Sequence, residues 1–304
     1  MDGLILVDKP VGITSHDVVA SLRRLLGEKK IGHFGTLDPL ASGLLLAAIG
    51  KATRLFPFFS VLDKTYRGRV RLGYSTDTYD REGRPTSEES EEFPDIEKVL
   101  DALRGFQGEI TQLPPLFSAK KLRGKPLYAY ARRRKPVDVR PSQVRISSLR
   151  LMDYRPPFLE LEVKCSSGTY IRTLAHDLGR VLGCQGYLAG LVRTEIGDYR
   201  LEDAFALETI RSHQERGETA EFLLPLENLL PDIPKAVLDQ EGVELIRNGR
   251  LISPENISTP MTRVPPGSEQ ERVVVRLFSE SGKLIAFARP SGLPDHLAPF
   301  LVFL

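Results

Sequence analysis

Apolar residues recur along the first 200 positions with two different periods. From Tyr66 to Leu72, arginines alternate with apolar residues and a glycine, and residues 158–165 show a similar alternation. A period of two predicts a strand with one buried face. After Thr14, apolar residues instead recur three and four positions apart as far as Gly27, which predicts a helix. Strand and helix segments are therefore interleaved in this part of the chain.

One loop near the start of the chain places a single carboxylate between glycines. Asp38 lies between Gly35 and Gly43 and directly before Pro39. The glycines permit backbone angles closed to other residues, and the proline pushes Asp38 out of the helical region. The apolar run 44–49 follows at once and predicts a buried segment. Two interpretations stay open: a rigid loop that presents one acid, or an ordinary Asp-Pro turn that bonds its own backbone.

The pattern changes towards the C-terminus. Residues 198–230 are predicted to be helical and connecting. Beyond about residue 233 a short helix is predicted before Asn248-Gly249, and β-type apolar runs follow at 273–278 and 284–288. These short runs predict a small second unit.

Length and composition narrow the class of protein. A chain of 304 residues allows one large domain and a small one, and 41% hydrophobic with 27% charged residues is typical of a soluble globular protein. No apolar run approaches the roughly 18 residues of a membrane span, and no secretory signal is visible. Cys165 and Cys184 are too few for a disulfide framework and lack metal-ligand spacing. We therefore expect a cytoplasmic protein without a membrane or metal requirement.

The charge is unevenly distributed although the net charge is only +2. Residues 120–140 contain nine Lys or Arg and one acid, whereas residues 88–97 contain six acids. A local basic surface can therefore coexist with a nearly neutral total. The basic segment also contains Tyr128 and Tyr130, a mixture that suits RNA loops because cations neutralise phosphates and rings stack on unpaired bases. A solvated charged helix is the alternative.

Separated motifs in the chain resemble the TruB family of pseudouridine synthases. Residues 32–43 contain the family's Gly-His, its Leu-Asp-Pro and a later glycine. The Lys-Thr-Tyr-Arg at 64–67, the Ser-Gly-Thr-Tyr-Ile-Arg-Thr-Leu at 167–174 and the Leu-Val-Arg at 191–193 match further motifs in the right order. The resemblance covers most of residues 3–200.

The resemblance implies that the protein isomerises the uridine at position 55 in the T loop of tRNA. Asp38 matches the nucleophile, Arg172 the arginine that pairs with it, and Tyr66 a tyrosine that stacks under the base and is a candidate for proton transfer. The arginine is expected to lower the pKa of Asp38, by about 1 to 3 units for such a pair. The residues expected to contact the RNA or to line the base pocket are His33, Tyr170, Leu191 and Lys9, with Lys120, Lys121, Arg132, Arg133 and Arg134 of the basic segment; Lys9 also matches a segment that supports the active-site loop.

The resemblance also implies the architecture. We expect an α+β fold, with a mixed, largely antiparallel sheet around a central cleft and a small C-terminal PUA-like β-barrel. The catalytic domain would span 1–230, with a basic RNA-binding insertion at about 118–142, and the RNA-binding barrel 233–304. The expected partner is tRNA, bound by a monomer through its T stem-loop. No cofactor or metal is expected, because no step needs a redox centre, a metal or an activated phosphate.

Two other functions stay open at this point. A non-catalytic protein that binds or folds tRNA could use the basic segment and the barrel alone, but the acid, the tyrosine and the arginine of the family are all present. A hydrolase of glycosidic bonds usually needs two carboxylates across the bond, and only one acid lies in a motif. The acidic turn at 77–83 is predicted to be a loop.

Overall fold

The computed structural model divides into two compact units. The larger unit comprises Ile5–Ala47 and Leu55–Phe222, and the smaller unit comprises Met1–Leu4, Ala48–Arg54 and Leu223–Leu304. The domain limits implied by the resemblance stay predictions. The structure describes residues 1–118, 121–122, 124–127, 130, 137–259 and 273–304.

Strands and helices are interleaved along the larger unit, as the hydrophobic pattern predicts. The strands, of which the first begins and the third ends in the smaller unit, are β1 (Gly3–Lys9), β2 (Ile31–His33), β3 (Ala41–Ile49), β4 (Lys64–Leu72), β5 (Gly108–Gln112), β6 (Lys121–Leu122), β7 (Lys125–Pro126), β8 (Ser142–Arg155), β9 (Phe158–Cys165), β10 (Gly186–Ile196), β11 (Tyr199–Arg200) and β12 (Phe205–Ala206). The helices are α1 (Ser15–Leu26), α2 (Phe56–Ser60), α3 (Ile96–Arg104), α4 (Ile171–Val181) and α5 (Leu207–Glu215).

One mixed sheet organises these elements. Its strands lie in the order β12-β1-β3-β10-β4-β9-β8-β5, with β2 beside β3 and β11 beside β10. The pairing of β3 with β10 is parallel, while β10, β4, β9, β8 and β5 follow one another antiparallel. The predicted mixed, largely antiparallel sheet is confirmed. Strand β10, which comes last in sequence among the central strands, lies between β3 and β4.

The predicted faces of the elements are also found. On β4, Tyr66 and Val70 are buried in the main core, which also contains Val163 of β9. The opposite face carries arginines, of which Arg67 and Arg69 form ion pairs with glutamates of β9 at 3.6 and 3.2 Å. A buried face and a charged face on one strand explain the period of two.

The helix that follows β1 has the predicted ends. The Thr14 Oγ1 accepts a hydrogen bond from the Asp17 amide at 3.0 Å, and the Asp17 carboxylate accepts one from the Thr14 amide at 2.8 Å. Gly27 ends α1 with a φ of +64°. Both features were predicted from spacing alone.

The prediction that the segment 198–230 is helical and connecting is incomplete. Besides α5 it contains β11, β12 and β13 (Leu224–Pro225), and each of these pairs with a longer strand. Two-residue strands are too short to show a period, so the hydrophobic pattern cannot predict them.

The smaller unit contains a second sheet. After β13 its strands are β14 (Lys235–Leu238), β15 (Ile257–Thr259), β16 (Val275–Ser279), β17 (Leu284–Pro290) and β18 (Leu297–Val302), in the order β15-β14-β16-β17-β18, with the helix α6 (Gln240–Arg247). Among the residues described, which omit 260–272, this order is an open path and not a closed barrel. The barrel stays a prediction, whereas the predicted short helix and the strands are confirmed.

Part of the predicted basic insertion, including most of its lysines and arginines, lies outside the described residues. This holds for Lys120, Arg132, Arg133 and Arg134, and only the backbone of Lys121 is described, in β6.

Within the described ranges, no helix is long and apolar enough to span a bilayer.

Candidate active site

Residues from four separate motifs line one cleft of the larger unit. Asp38 comes from the loop between β2 and β3, Tyr66 from β4, Leu191 from β10, and Tyr170 and Arg172 from the start of α4. The cleft has a volume of about 510 Å³. His33, at the end of β2, also lines it. The structure therefore brings together residues that are up to 158 positions apart in the sequence.

The loop that carries Asp38 is held on both sides. Buried Ser15 accepts a hydrogen bond from the Leu37 amide at 2.8 Å and donates one to the Leu37 carbonyl at 3.1 Å. The amide of Gly12 donates to the Pro39 carbonyl at 2.8 Å. These bonds fix the backbone on each side of Asp38. Of the two interpretations of the sequence, the geometry is that of the rigid loop.

The two glycines of the loop have the conformations that were predicted for them. Gly35 has a φ of +104° and Gly43 a φ of +97°. At Gly43 a Cβ would lie 2.4 Å from the Arg193 carbonyl oxygen, because β3 approaches β10 closely there. Only glycine fits such a contact without movement of the backbone.

Arg172 is the centre of the polar network in the cleft. Its Nε lies 3.0 Å from Asp38 Oδ2, and its Nη1 lies 3.2 Å from Asp80 Oδ2. The remaining donors reach the carbonyls of Phe117 at 3.0 Å and Thr78 at 3.4 Å. Arg172 is only 5% exposed, and a cation buried to this degree needs such complete pairing. The predicted pairing of Arg172 with Asp38 is confirmed.

Asp80 is the member of this network that the sequence did not reveal. It lies in the acidic turn that was predicted only as a loop. Its Oδ1 accepts hydrogen bonds from the Thr78 hydroxyl at 2.6 Å and from the Glu82 amide at 3.0 Å. A buried arginine beside a partly exposed Asp38 requires a second anion, but no local pattern indicates which acid of the turn faces inward.

The two carboxylates differ in exposure. The side chain of Asp38 is 39% exposed towards the cleft, whereas that of Asp80 is 5% exposed. Asp80 therefore cannot act on a bond opposite Asp38, which removes the two-carboxylate geometry that a glycosidic hydrolase needs.

The environment raises the pKa of Asp38 above its usual value of 3.8. Burial is the main cause, and the charge of Asp80 adds to it, while Arg172 and Lys9 oppose it. Arg172 lowers this pKa, as expected, but the net shift of the Asp38 pKa is upward. The arginine does favour the carboxylate, but desolvation and a second carboxylate outweigh it.

Tyr66 lies close to Arg193, which also contacts the loop. Burial raises the pKa of the Tyr66 phenol, and the charge of the Arg193 guanidinium partly opposes the shift. Arg193 is fully buried, with Nε donating to the Leu44 carbonyl at 2.8 Å and Nη2 to the Gly35 carbonyl at 3.0 Å. These buried contacts fit a structural role for Arg193.

The backbone of Tyr170 is clamped by Gln112. The Gln112 Oε1 accepts from the Tyr170 amide at 2.9 Å, and its Nε2 donates to the Tyr170 carbonyl at 3.3 Å. Gln112 is only 2% exposed. The clamp fixes the residue before α4, and with it the direction in which the helix presents Arg172.

His33 and Lys9 were both expected to contact the RNA or to line the pocket, and they differ in their surroundings. Burial, with smaller effects of Arg193 and His16, lowers the pKa of His33, whose Nδ1 has no partner within the described part of the chain. Lys9 is fully buried and donates to the carbonyls of Pro10 at 2.8 Å and Ile13 at 2.7 Å. This geometry fits support of the loop and not contact with an RNA phosphate.

The cleft offers a carboxylate, a phenol and a guanidinium to a substrate. Among the described residues, no group of three or more His, Cys, Asp or Glu could hold a metal ion.

Solved structures define the class of protein to which this fold belongs. The archaeal box H/ACA sRNP Nop10-Cbf5 complex contains a chain with a TM-score of 0.73 at 22% identity, over 99% of this chain and 86% of that chain. An H/ACA RNP bound to a substrate RNA containing 2′-deoxyuridine gives a TM-score of 0.72 at 22% identity, over 99% and 85% of the two chains. This chain shares the fold of the matching chains in these two complexes.

Sequence comparisons identify the family within this class. The model of the N-terminal domain of TruB family pseudouridylate synthases matches residues 23–171, and that of the tRNA pseudouridylate synthase B C-terminal domain matches 172–231. The tRNA pseudouridine synthase B of Solibacter usitatus is 41% identical over 302 residues, 99% of this chain and 100% of that protein. That of Geobacillus kaustophilus is 42% identical over 93% of this chain and 98% of that protein. The chain belongs to the TruB family, as its motifs predicted.

Proposed function

We propose that the protein converts uridine to pseudouridine in tRNA, at position 55 of the T loop, with Asp38 as the nucleophile. One observation carries the proposal: in a chain of the TruB family, a partly exposed carboxylate is paired with a buried arginine inside a cleft that a tyrosine and a leucine also line. The membership of the family and the names of its relatives support the reaction and the tRNA. The family resemblance alone supports position 55, the monomeric state and the cytoplasmic location.

The target base has to leave its stack before it can react. The cleft of about 510 Å³ lies within the range of about 300–1,000 Å³ that is usual for small-ligand sites. Flipping a nucleotide out of an RNA loop costs a few kcal/mol. Tyr66 and Leu191 would then enclose the uracil, and His33 would lie against the RNA.

The reaction exchanges one bond to the sugar for another. Asp38 attacks the nucleotide, the bond between N1 and C1′ breaks, and the uracil turns so that C5 bonds to C1′ while the bond to Asp38 breaks again. The proton on C5 is lost and N1 gains one, so the product is an isomer of the substrate and needs no other reactant. The Tyr66 phenol is the candidate for the proton transfer, since it is buried in the cleft near Asp38.

The raised pKa of Asp38 suits this role. A carboxylate with a higher pKa is a stronger nucleophile once it is ionised. Arg172 orients the carboxylate and Asp80 neutralises the other side of the guanidinium, so the pair can separate without leaving an unpaired buried cation.

An unmodified T stem-loop RNA provides the test. The protein is incubated with the RNA, and pseudouridine is measured at each uridine together with any free uracil. We expect pseudouridine at position 55 alone and no uracil. Binding without pseudouridine would favour the non-catalytic alternative, and free uracil would favour a hydrolase; either result contradicts the proposal.

A further inference from the structure

Tyr79 has a backbone conformation that residues with a Cβ rarely adopt. Its φ is +63°, in the left-handed region that glycine, asparagine and aspartate tolerate best. Tyr79 directly precedes Asp80, the buried partner of Arg172. A residue persists in such a conformation only where surrounding contacts hold it there, and such residues concentrate at functional sites.

Contacts to both the ring and the backbone hold Tyr79. Its ring stacks on the imidazole of His176, with the centroids 3.9 Å apart and an interplanar angle of 14°. The imidazole is itself fixed, because its Nδ1 lies 2.8 Å from the hydroxyl of buried Ser75. The Tyr79 carbonyl accepts a hydrogen bond from the Leu188 amide at 3.0 Å. The sequence suggested none of these contacts.

The spacing on α4 connects this stack to the active site. Arg172 and His176 are four residues apart, so they are neighbours on one face of the helix. Arg172 binds the carboxylate of Asp80, and His176 binds the ring of the preceding residue. Two consecutive loop residues are thus docked on two consecutive turns of α4.

We infer that Tyr79 and His176 are positioning residues for catalysis. Their stack holds the loop in its strained conformation, keeps Asp80 against Arg172, and so fixes the guanidinium towards Asp38. Neither side chain touches the reacting atoms. The inference rests on the proposed function, in which Asp38 is the nucleophile.

Release of this loop would change the charge around Asp38. The charged groups that act on Asp38 are Arg172, Asp80 and Lys9. When Asp80 moves away, a negative charge is lost and Arg172 acts on Asp38 alone. The pKa of Asp38 then falls, and the acid limb of the pH–rate profile moves to lower pH. A mere loss of stability would not move this limb.

Three substitutions at Tyr79 separate the ring from the backbone strain. Tyr79→Phe keeps the ring, so we expect kcat within about twofold of the parent. Tyr79→Ala keeps the unfavourable φ without the stack, and we expect kcat to fall about tenfold with little change in KM and a lower acid limb. Tyr79→Asn should fall between them, because asparagine tolerates the left-handed region. A Tyr79→Ala enzyme with the parental kcat and acid limb would overturn the inference.

Tyr154→Ala is the matched control. Tyr154 is another half-buried tyrosine, whose hydroxyl donates to the Pro94 carbonyl at 2.6 Å. Its loss should lower stability without moving the acid limb. A shift of the limb equal to that of Tyr79→Ala would show that general destabilisation is sufficient, and the inference would fail.

A double substitution tests whether Tyr79 acts through Asp80. In the background of Asp80→Asn, Tyr79→Ala should have little further effect on kcat, because the contact it protects is already altered. An undiminished tenfold loss in that background would contradict the inference.

Trypsin cleavage gives a readout that does not depend on activity. Arg81 is exposed in the same loop, and a protease cuts a segment that opens. We expect about tenfold faster cleavage after Arg81 in Tyr79→Ala than in the parent or Tyr79→Phe. Unchanged cleavage would overturn the inference, whereas faster cleavage in a protein that makes no pseudouridine would refute the proposed function alone.

Discussion

The two carboxylates that pair with Arg172, Asp80 and Asp38, have different roles. Asp80 is almost fully buried and neutralises the guanidinium, whereas Asp38 keeps 39% of its side chain exposed in the cleft. Asp38 can therefore reach a substrate, and Asp80 cannot. Because Asp80 neutralises Arg172, the arginine can stay charged and oriented while Asp38 reacts.

Removal of the charge at Asp38 should abolish the reaction and leave binding intact. Asp38→Asn is nearly isosteric but cannot act as a nucleophile at ordinary pH. Affinity for tRNA should change little, because phosphate contacts dominate such interfaces. Single-turnover assays and binding titrations at fixed salt measure the two quantities. Turnover within tenfold of the parent would contradict the assignment of the nucleophile.

The pH–rate profile should report the raised pKa of Asp38. The carboxylate must be ionised to attack, so the rate should fall as the pH falls through a value above 3.8. Asp80→Asn removes a like charge and should move this acid limb to lower pH, even if the maximal rate also falls. A limb that moves to higher pH, or does not move, would show that Asp80 does not raise the pKa of Asp38.

Substitutions of Tyr66 distinguish proton transfer from stacking. Tyr66→Phe keeps the ring and loses the hydroxyl, whereas Tyr66→Leu loses both. If the phenol transfers the proton, the Phe variant should bind tRNA normally and lose about 10²–10⁴-fold in kcat, the usual contribution of such groups. Single-turnover rates of both variants decide the role: a Phe enzyme close to the parental rate leaves the ring with stacking only.

The family motifs identified the residues that line the cleft better than their surroundings. Asp38, Tyr66 and Arg172 were predicted because each lies in a motif that resembles the TruB family. Asp80 was missed because its burial depends on an arginine 92 positions away. The effect of Arg172 on the pKa of Asp38 was predicted in the right direction, but the larger opposing effect of desolvation was missed, since desolvation is a property of the folded cleft and not of neighbours in sequence.

At the scale of elements, the close approach of β3 and β10 depends on one missing side chain. Gly43 and Gly12 have nearly the same φ, +97° and +93°. A Cβ at Gly43 would lie 2.4 Å from the Arg193 carbonyl oxygen, whereas a Cβ at Gly12 would have no neighbour within 4 Å. A substitution at Gly12 therefore tests backbone strain alone, whereas one at Gly43 tests backbone strain together with a steric clash.

Alanine at these two positions should have unequal effects on stability. Gly12→Ala should lower the free energy of unfolding by about 1–2 kcal/mol, the cost of a left-handed residue. Gly43→Ala should cost about 2–4 kcal/mol in total and also lower kcat, because it displaces the strand that carries Arg193. Urea unfolding and steady-state assays measure both effects. Equal losses in the two variants would mean that the strands can separate without penalty.

The elements that the pattern predicted are those long enough to show a period. The alternation of β4 and β9 and the spacing of α1 appear in the structure as written in the sequence. The two-residue strands β11, β12 and β13 do not, because their pairing is imposed by the longer strands they join. The closure of the second sheet into a barrel is likewise a property of long-range pairing, and it stays a prediction.

At the scale of the whole molecule, a net charge of +2 is too small to attract tRNA, so affinity has to come from local clusters. Neutralising Lys120, Lys121, Arg132, Arg133 and Arg134 should weaken binding and reduce the salt dependence, by a slope of about 0.7–0.9 per lost phosphate contact. Replacement of Lys98 and Arg104 on α3, which form ion pairs with acids of the same helix region, is the control. A slope unchanged in the first variant would show that the basic segment does not touch phosphates.

The position of β10 affects how the chain can fold while it is synthesised on the ribosome. The facing edges of β3 and β4 stay unpaired until residues 186–196 have been made, although Leu44–Ile49 of β3 are fully buried in the finished fold. At about 5–20 residues per second, the interval from the end of β4 to the end of β10 lasts about 6–25 s. During that time an apolar strand edge is open to mispairing. The nascent chain is thus most exposed to aggregation just before the strand that completes its active site emerges.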